Sequence, residues 1–587
     1  MLKKNQIITL EITSITNLGF GVGRADGVVV FVSGAVPEDT VEVKIIKVAS
    51  SFAVGRVERF IKKSSLRVCD RCDISACSSC AYKSISYECE LDIKSRDVAE
   101  AFNKAGLTEV KVTSITPSPT LSGYRNKAQY PIARAKDGSY IIGFYAPKSH
   151  RVTEARKCPL APPVFAEILD TLAAFFEKQD LSCYDEESGK GILRHIYLRR
   201  GEVSGEILLT VVINGKSLPH ADELVATVRE KHPDVVGILL NINERNTNVI
   251  LGDEYVTLFG RDYIFDTLGG VNLKITAPSF YQVNRGAADL LYAKAKELAA
   301  PTKDDLVLDL FCGAGSIGLS MADDAGEIIG IEIVESAVEC ARFNAENNGI
   351  SGAKFYTGDA TDAEKLLERA ESERGEKIAP DVIILDPPRA GCDERLIRYT
   401  ASLSPKRIVY VSCNPGTLAR DAAIFKSLGY ETNEVFAFDL FPATGHVESV
   451  VCLSREKAVH EMNLNPSPFE RVQSGQKTIE LRLCDEKRQR IKEGDTITFT
   501  NTATGEKMSR TVKKLHRFDS FEELYKTLPL LQCGYTEKDI DTAQPSDMEQ
   551  YYSVEEQNKY GVVGIELFQP KGITDESVVC LTRRLDN

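Results

Sequence analysis

The first sixty residues alternate apolar and polar positions in short runs. Valine-rich runs at 28–32 and 41–46 are separated by turns that contain Gly and Pro. Short strands joined by such turns are typical of a small closed barrel. The sequence therefore predicts an all-β barrel over residues 1–62.

The pattern changes twice more along the chain. From about 124 to 275 it is β-rich, with one helix near 163–178, and beyond Ala277 strand and helix patterns alternate. Such alternation indicates a mostly parallel sheet with helices on both faces. We therefore predict a multidomain α/β protein with five parts: a barrel (1–62), a cysteine segment with a helix (63–105), a central β-rich domain (106–275), an open α/β domain (276–456) and a C-terminal domain (459–587).

Composition narrows the class of protein. No apolar stretch approaches the roughly 18–20 residues that cross a bilayer, and the N-terminus lacks the features of a signal peptide. We expect a cytoplasmic monomer with no membrane partner and no obligate protein partner.

The net charge of −13 argues against nucleic acid as a partner, but residues 124–157 hold 8 Lys and Arg against 2 Asp and Glu. Because polyanions respond to a local face, RNA remains a possible partner.

Four of the fifteen cysteines lie within twelve positions. They are Cys69, Cys72, Cys77 and Cys80. In a reducing compartment this density points to a metal site, and ligation by thiolates alone suits either zinc or an iron–sulfur cluster.

A glycine-rich loop follows the first strand of the open α/β domain. Gly313, Gly315 and Gly318 fit G-x-G-x-x-G, and Glu332 ends the next strand. Such a loop lets a ligand approach the backbone, and the carboxylate can bind ribose hydroxyls. Alone, this pattern fits NAD equally well.

Two later motifs argue against NAD as the cofactor of this loop. Asp-Pro-Pro-Arg (386–389) and Ser-Cys-Asn-Pro (412–415) each end a predicted strand. The carboxyl ends of parallel strands meet in one crevice, and a dehydrogenase has no need of Cys413 there.

Five motifs in order, at 280–284, 309–313, 386–391, 412–415 and 441–448, resemble those of the RNA uracil-C5 methyltransferases. The resemblance implies a class I Rossmann-like domain that uses S-adenosylmethionine. It also implies that the cofactor and uracil pockets are lined by Gln282, Phe311, Gly313, Gly315, Ser316, Glu332 and Asp386.

The resemblance also implies roles in catalysis. Cys413 is expected to add to uracil C6, since covalent addition makes C5 nucleophilic. Glu448 is expected to remove the C5 proton, and Asp386 to hold the uracil edge. His446 either polarises the site or is structural.

Similar enzymes often bind a [4Fe–4S] cluster through three close cysteines and one distant one. This resemblance implies Cys72, Cys77, Cys80 and Cys158 as ligands, although four residues rather than five separate the first two. Cys69 is the substitute ligand if the register shifts. Zinc held by the four close cysteines stays open.

Both ends of the chain resemble RNA-associated domains. Residues 19–24 and 36–39 are similar to the TRAM barrel, an OB-like RNA-binding fold, and residues 465–482 are similar to the ASCH β-barrel. Lys477 matches a lysine of nucleoside amidohydrolases in the ASCH group, but Glu480 replaces their threonine. An accessory RNA-binding role is preferred over an independent hydrolase.

The sequence thus predicts an S-adenosylmethionine-dependent enzyme that makes 5-methyluridine in structured RNA. Large-subunit ribosomal RNA is the first expected substrate and transfer RNA the alternative. A non-catalytic RNA-binding or chaperone protein is a second hypothesis, against which the presence of both Cys413 and Glu448 speaks.

Overall fold

The computed structural model divides the chain into two compact units, Met1–Arg455 and Glu456–Asn587. It describes residues 2–568 except 70, 71, 73, 75, 76, 78, 148, 376, 456 and 457. Residues 569–587 of the predicted C-terminal domain therefore lie outside the described part. Within the described residues, no helix has the length and apolar character needed to cross a membrane.

The N-terminal segment forms a six-stranded sheet, as the alternation predicts. Its order is β1-β5-β6-β4-β3-β2, and inward valines such as Val30 and Val43 are fully buried. The strands are β1 (Ile7–Glu11), β2 (Ser14–Ile15), β3 (Phe20–Ala25), β4 (Val28–Ser33), β5 (Thr40–Val48) and β6 (Phe52–Lys62).

A long helix and a short strand follow, α1 (Tyr87–Lys104) and β7 (Lys111–Val112). The Ser86 side chain caps α1 by accepting from the Cys89 backbone N–H at 3.2 Å. Val98 and Phe102 of α1 belong to the core of the α/β domain, and β7 pairs with that domain's sheet. The apolar face of α1 thus ties residues 87–112 to the α/β domain rather than to the central one.

The central domain has a seven-stranded sheet of order β10-β9-β8-β11-β12-β13-β14 and a separate hairpin, β15-β16. A second helix, α3, joins the parallel pair β12 and β13, where the sequence predicts only α2. It was missed because its buried stripe is narrow, only Leu224 and Val228. The elements are β8 (Lys127–Arg134), β9 (Tyr140–Tyr145), β10 (Val152–Glu154), α2 (Pro163–Lys178), β11 (Leu193–Arg200), β12 (Ile207–Ile213), α3 (Ala221–Lys231), β13 (Val235–Ile242), β14 (Glu254–Gly260), β15 (Tyr263–Leu268) and β16 (Val271–Thr276).

The α/β domain contains the predicted parallel sheet. Its order is β19-β18-β17-β20-β21-β24-β23-β7, with β22 beside β24; β17 to β21 run parallel and β24 runs antiparallel to β21. The elements are α4 (Arg285–Ala299), β17 (Leu306–Leu310), α5 (Ser316–Ser320), β18 (Glu327–Glu332), α6 (Glu335–Asn347), β19 (Ala353–Thr357), α7 (Ala363–Arg374), β20 (Val382–Leu385), α8 (Glu394–Ser402), β21 (Arg407–Ser412), α9 (Pro415–Ser427), β22 (Tyr430–Glu431), β23 (Glu434–Phe438) and β24 (Glu448–Arg455).

The C-terminal unit has its own five-stranded sheet, ordered β25-β27-β28-β29-β26, and its own cores around Phe469 and Phe521. Its elements are β25 (Val459–Leu464), α10 (Pro466–Gln473), β26 (Ile479–Leu483), α11 (Glu486–Gln489), β27 (Thr496–Asn501), β28 (Lys507–Phe518), α12 (Phe521–Thr527), α13 (Val554–Tyr560) and β29 (Val562–Leu567).

Candidate active site

A cavity of about 760 Å³ lies where the parallel strands of the α/β domain end. This is the edge at which open α/β sheets bind ligands, and the volume is that of a small-molecule site. The motif residues that line it are Gln282, Phe311, Gly313, Glu332, Asp386, Cys413 and Glu448.

The glycine loop is fixed by two carboxylates. Glu332 accepts from the Gly313 backbone N–H at 3.1 Å, and Asp309 accepts from the Gly318 N–H at 2.9 Å. Phe311 takes φ of +68° at the cavity wall, a conformation that non-glycine residues adopt at a cost. Glu332 is thereby held beside the loop with its carboxylate on the cavity.

Gly315 and Ser316 lie behind this wall. Gly315 takes φ of +80° at the start of α5, and the Ser316 hydroxyl bonds to the Tyr292 hydroxyl at 2.8 Å. Tyr292 also interacts with the Gln282 side chain. Contact of Gly315 and Ser316 with a cofactor therefore stays a prediction, and Ser316 is linked to the cavity through Tyr292 and Gln282.

Strand register brings Cys413 and Glu448 together. Ser412 ends β21 and pairs with Ser449 of the antiparallel strand β24. Cys413 and Glu448 directly flank this pair, and both line the cavity. A thiol and a carboxyl group that are 35 positions apart in the chain thus line one cavity.

Burial changes the protonation of the acids in this cavity. It raises the pKa of Asp386 to about 7. It also raises the pKa of Glu448 well above its ordinary value, an effect that Asp386 increases and Arg389 opposes. A neutral state is therefore accessible to Asp386 near pH 7, and the pKa of Glu448 is shifted in the same direction.

Arg389 lies beside the Cys413 thiol. Burial and then Glu448 raise the pKa of this thiol, while the charge and hydrogen bonding of Arg389 lower it. Cys413 also directly precedes the N-terminus of α9, whose first turn is capped by Asn414 and begins at Pro415. A cation and a helix N-terminus are the two features that stabilise a thiolate.

The loop before Glu448 is held by α1 and by the barrel. The Ala443 backbone N–H donates to Glu90 at 2.7 Å, and Ala443 has φ of +68°. Gly445 lies against the Asn17 carbonyl, with no room for a β-carbon. The catalytic side of the cavity is therefore built from residues more than 350 positions apart.

A second, outer groove of about 870 Å³ meets the cavity at Cys413 and Arg389, which line both. The barrel contributes Thr16 and Asn17 to this groove. The loop 439–447, named the catalytic loop for the predicted role of Glu448 at its end, contributes His446. Cys413 is thus reachable from two sides.

Comparison with known proteins agrees with this geometry. Residues 86–456 match the tRNA (Uracil-5-)-methyltransferase family. The chain belongs to this family. Residues 2–57 match the TRAM domain and residues 462–571 the ASCH domain, so the resemblances found at both ends are confirmed. The chain is therefore an RNA (uracil-5-)-methyltransferase.

Several curated relatives are named only as uncharacterized RNA methyltransferases. That of Clostridium tetani is 38% identical over 454 residues, which is 77% of this chain and 97% of the relative. That of Oceanobacillus iheyensis is 39% identical over 453 residues, with the same coverage. A solved Pyrococcus abyssi tRNA (uracil-54, C5)-methyltransferase in complex with S-adenosyl-L-homocysteine is 28% identical with a TM-score of 0.61, covering 76% of this chain and all of that one.

The methyltransferase cavity also contains residues that sequence reasoning missed. Arg389 was read only as part of its motif, and Phe280 is 67% exposed at the cavity. Asp359 follows β19, so its place beyond a parallel strand end was the signal that could have found it. Lys127 comes from the central domain, and burial with nearby Arg199 lowers its pKa to about 8.

The predicted cluster cysteines are near one another. Burial raises the pKa of Cys80 to about 12, and Cys158, Cys77 and Cys72 are close enough to add to this shift. Cys69 is exposed. Within the described part of the chain, however, no three His, Cys, Asp or Glu side chains are arranged to hold a metal ion.

In the ASCH domain, Lys477 pairs with Glu480, the residue that stands where nucleoside amidohydrolases of the ASCH group have a threonine. Its Nζ lies 3.1 Å from Glu480, which also pairs with Arg482 at 3.0 Å. The side chains of Lys477 and Glu480 are only 11% and 5% exposed.

Proposed function

We propose that this enzyme methylates uracil C5 in structured RNA, with S-adenosylmethionine as methyl donor and Cys413 as covalent nucleophile. The observation that carries the proposal is the convergence of Cys413, Arg389, Asp386 and Glu448 on one cavity. Large-subunit ribosomal RNA is the first substrate to test. Transfer RNA is the second, because it is the substrate in the names of the matching family and of the Pyrococcus enzyme.

The residues present fit S-adenosylmethionine. Glu332 accepts from the Gly313 N–H at the cavity wall, and we expect its carboxylate to bind the ribose hydroxyls. The acidic lining of Glu332, Asp386 and Glu448 suits a ligand with a positively charged sulfur. When bound, the cofactor supplies an electrophilic methyl group.

The chemistry of the protein begins with Cys413. Its thiolate attacks uracil C6, the S–C6 bond forms, and the electron pair of the C5=C6 bond moves to C4–O4 as an enolate. C5 would then take the methyl group as the bond between this methyl and the cofactor sulfur breaks, which would leave neutral S-adenosylhomocysteine. Glu448 removes the C5 proton, the C5=C6 bond re-forms, and the Cys413 thiolate leaves. The enzyme regains its starting state once Glu448 releases the proton.

Asp386 orients the base for these steps. Its pKa of about 7 allows the carboxyl group to donate to uracil O4 when protonated or to accept from N3–H when ionised. Phe280, exposed at the cavity, offers a face on which an extruded base can stack.

The outer groove gives RNA a path to Cys413. It joins the TRAM barrel to the catalytic loop, so RNA bound by the barrel passes next to the nucleophile. Turning the target uridine out of its stack then brings C6 to the thiol.

The decisive experiment uses anaerobically purified protein, methyl-labelled S-adenosylmethionine and unmodified ribosomal or transfer RNA. We expect label in 5-methyluridine after digestion of one RNA class. Label in another nucleoside would contradict the reaction. RNA binding without any label would instead favour the non-catalytic role.

We also propose a [4Fe–4S] cluster on Cys72, Cys77, Cys80 and Cys158. The thiols of Cys72, Cys77 and Cys158 are close enough to Cys80 to raise its pKa, and ligation by thiolates alone is the chemistry of iron–sulfur and zinc sites. Iron and sulfide analysis of anaerobic protein should show both elements, and Cys158→Ser should lose them while Cys69→Ser keeps them. Zinc in place of iron, retained in Cys158→Ser and lost in Cys69→Ser, would assign the alternative site.

For the ASCH domain we propose accessory RNA binding. The pairing of Lys477 with Glu480 leaves the amine engaged, unlike a free catalytic base. Full-length protein should therefore release no product from acylated nucleosides. Measurable nucleoside hydrolysis that Lys477→Met abolishes would establish the hydrolase instead.

A further inference from the structure

A third cavity, of about 700 Å³, lies in the central domain and shares no lining residue with the catalytic cavity. It sits among the ends of β8, β9 and β11 and the loop between β13 and β14. Its volume matches that of a small-ligand site. None of the motifs that define the methyltransferase lies in it.

Flat side chains form its walls. The Tyr145 ring lies edge-on to His150 and to His195, with centroids 5.7 and 6.2 Å apart. The Arg194 guanidinium stacks on the Tyr184 ring at 4.2 Å. Aromatic rings and arginine planes are the surfaces on which unpaired RNA bases stack.

The cavity wall has hydrogen-bonding capacity that the protein leaves unused. Arg194 and His195 are 3% and 4% exposed. Arg194 donates to the carbonyls of Asn243 and Arg245, both at 2.7 Å, while its Nε and the His195 Nδ1 have no partner among the described residues. Both atoms are themselves buried, so they make the wall polar from behind, and the contacts to a ligand fall to the accessible lining residues.

The charge of the cavity selects the kind of ligand. Asp185, Glu186 and Glu187 line it together with Arg151 and Arg194, and the remaining excess of negative charge disfavours a phosphate in the interior. Glu186 lies near enough to Tyr145 to raise the pKa of that phenol, after burial. A half-buried carboxylate accepts hydrogen bonds from amino and imino groups. Among RNA bases, guanine presents two such donors side by side, N1–H and N2–H.

The position of the cavity relates it to the reaction. Strand β8 begins at Lys127 in the catalytic cavity and reaches Ile132 in this one. Five residues of strand span about 17 Å. One RNA strand can therefore place a base in each cavity with a few nucleotides between them.

We propose that this central-domain cavity binds an unpaired guanine of the substrate RNA, stacked beside Tyr145 and Tyr184 and held by Glu186, while the target uridine occupies the catalytic cavity. The proposal deepens the function proposed above and rests on its RNA substrate. The enzyme then recognises two bases of its RNA substrate, a guanine and the target uracil, rather than one.

The first test measures binding of full-length protein to fluorescent, unstructured uridine-rich strands that carry one guanosine, one inosine or one adenosine. Inosine lacks the N2 amino group, so we expect the guanosine strand to bind more tightly, by roughly 5- to 100-fold for a lost bidentate contact. Glu186→Gln should abolish this preference, whereas Glu177→Gln, exposed on α2, should keep it. Equal affinity of wild-type protein for the three strands would overturn the proposal.

The second test maps ultraviolet cross-links to unmodified ribosomal or transfer RNA. Guanosine should be found on peptides that contain Tyr145 or Tyr184. Uridine cross-links near Phe280 without any on these peptides would overturn the inference and leave the proposed function standing. Because cross-linking needs binding only, absence of methylation would count against the proposed function alone.

Discussion

The Lys94 Nζ lies 2.7 Å from Asp439 Oδ1, although 345 positions separate the two residues. The same ammonium donates to Glu90 at 2.8 Å and to the Phe441 carbonyl at 3.2 Å. All three charged side chains are at most 1% exposed. This buried ion network fixes α1 to the start of the loop that leads to Glu448.

Replacing Lys94 with Met should therefore damage both stability and catalysis. It leaves two buried carboxylates without their cation, and breaking such a pair costs about 3–5 kcal/mol. Denaturant unfolding should show this loss, and methylation should slow at a given amount of folded protein. Lys365→Met, at an exposed pair with Asp362 on α7 and outside both cavities, should change neither quantity measurably; equal effects of the two variants would refute the network's role.

Variants of Cys413 and of Glu448 should stop the reaction at different steps. Glu448→Gln retains the nucleophile but cannot remove the C5 proton, so a methylated RNA adduct should accumulate and resist denaturation on a gel. Cys413→Ser should form no adduct and lose methylation, while Cys392→Ser, outside both cavities, should remain active. An adduct that persists in Cys413→Ser would assign the nucleophile to another residue.

Much of the catalytic cavity was predictable because parallel strands end at one edge. Glu332 ends a strand that the hydrophobic pattern indicates, and Asp386 and Cys413 each follow one, so their convergence needed no knowledge of side-chain packing. Glu448 needed the resemblance as well, since it starts an antiparallel strand whose partner no local pattern reveals.

The residues that were missed depend on contacts between distant segments. Lys127 reaches the catalytic cavity from the central domain, and Asn17 reaches Gly445 from the barrel. Hydrophobic periodicity reports which face of an element is buried but not which element covers it. For the same reason β7 was grouped with the central domain, whereas its hydrogen bonds join it to β23.

Methylation should rise with pH across the neutral range. Burial raises the pKa of the Cys413 thiol and the Glu448 carboxyl group, and the mechanism needs both groups deprotonated.

Arg389 favours the thiolate, so Arg389→Met should raise the pKa of the Cys413 thiol. The rising limb of the plot of single-turnover rate against pH should then move up by about one pH unit or more. Arg389→Lys should restore part of the shift, and Arg398→Met, on the exposed face of α8, should leave the profile in place. An unchanged limb in Arg389→Met would exclude thiolate stabilisation by this arginine.

The contact between the barrel and the catalytic loop offers a test of how RNA binding is linked to chemistry. A β-carbon at position 445 would lie 1.9 Å from the Asn17 carbonyl oxygen, so Gly445→Ala forces the loop and the barrel apart. Overpacking of this kind costs about 1–3 kcal/mol. It also displaces the loop that contains His446 and leads to Glu448. We expect a lower methylation rate and a lower melting temperature, with the affinity for S-adenosylmethionine unchanged because Gly445 is not among the described residues that line the catalytic cavity. Gly286→Ala is the matched control, since its β-carbon would meet only Pro119 at an ordinary 3.6 Å and alanine favours the helix α4. If Gly445→Ala behaved like this control, the barrel would have to act on RNA independently of the catalytic loop.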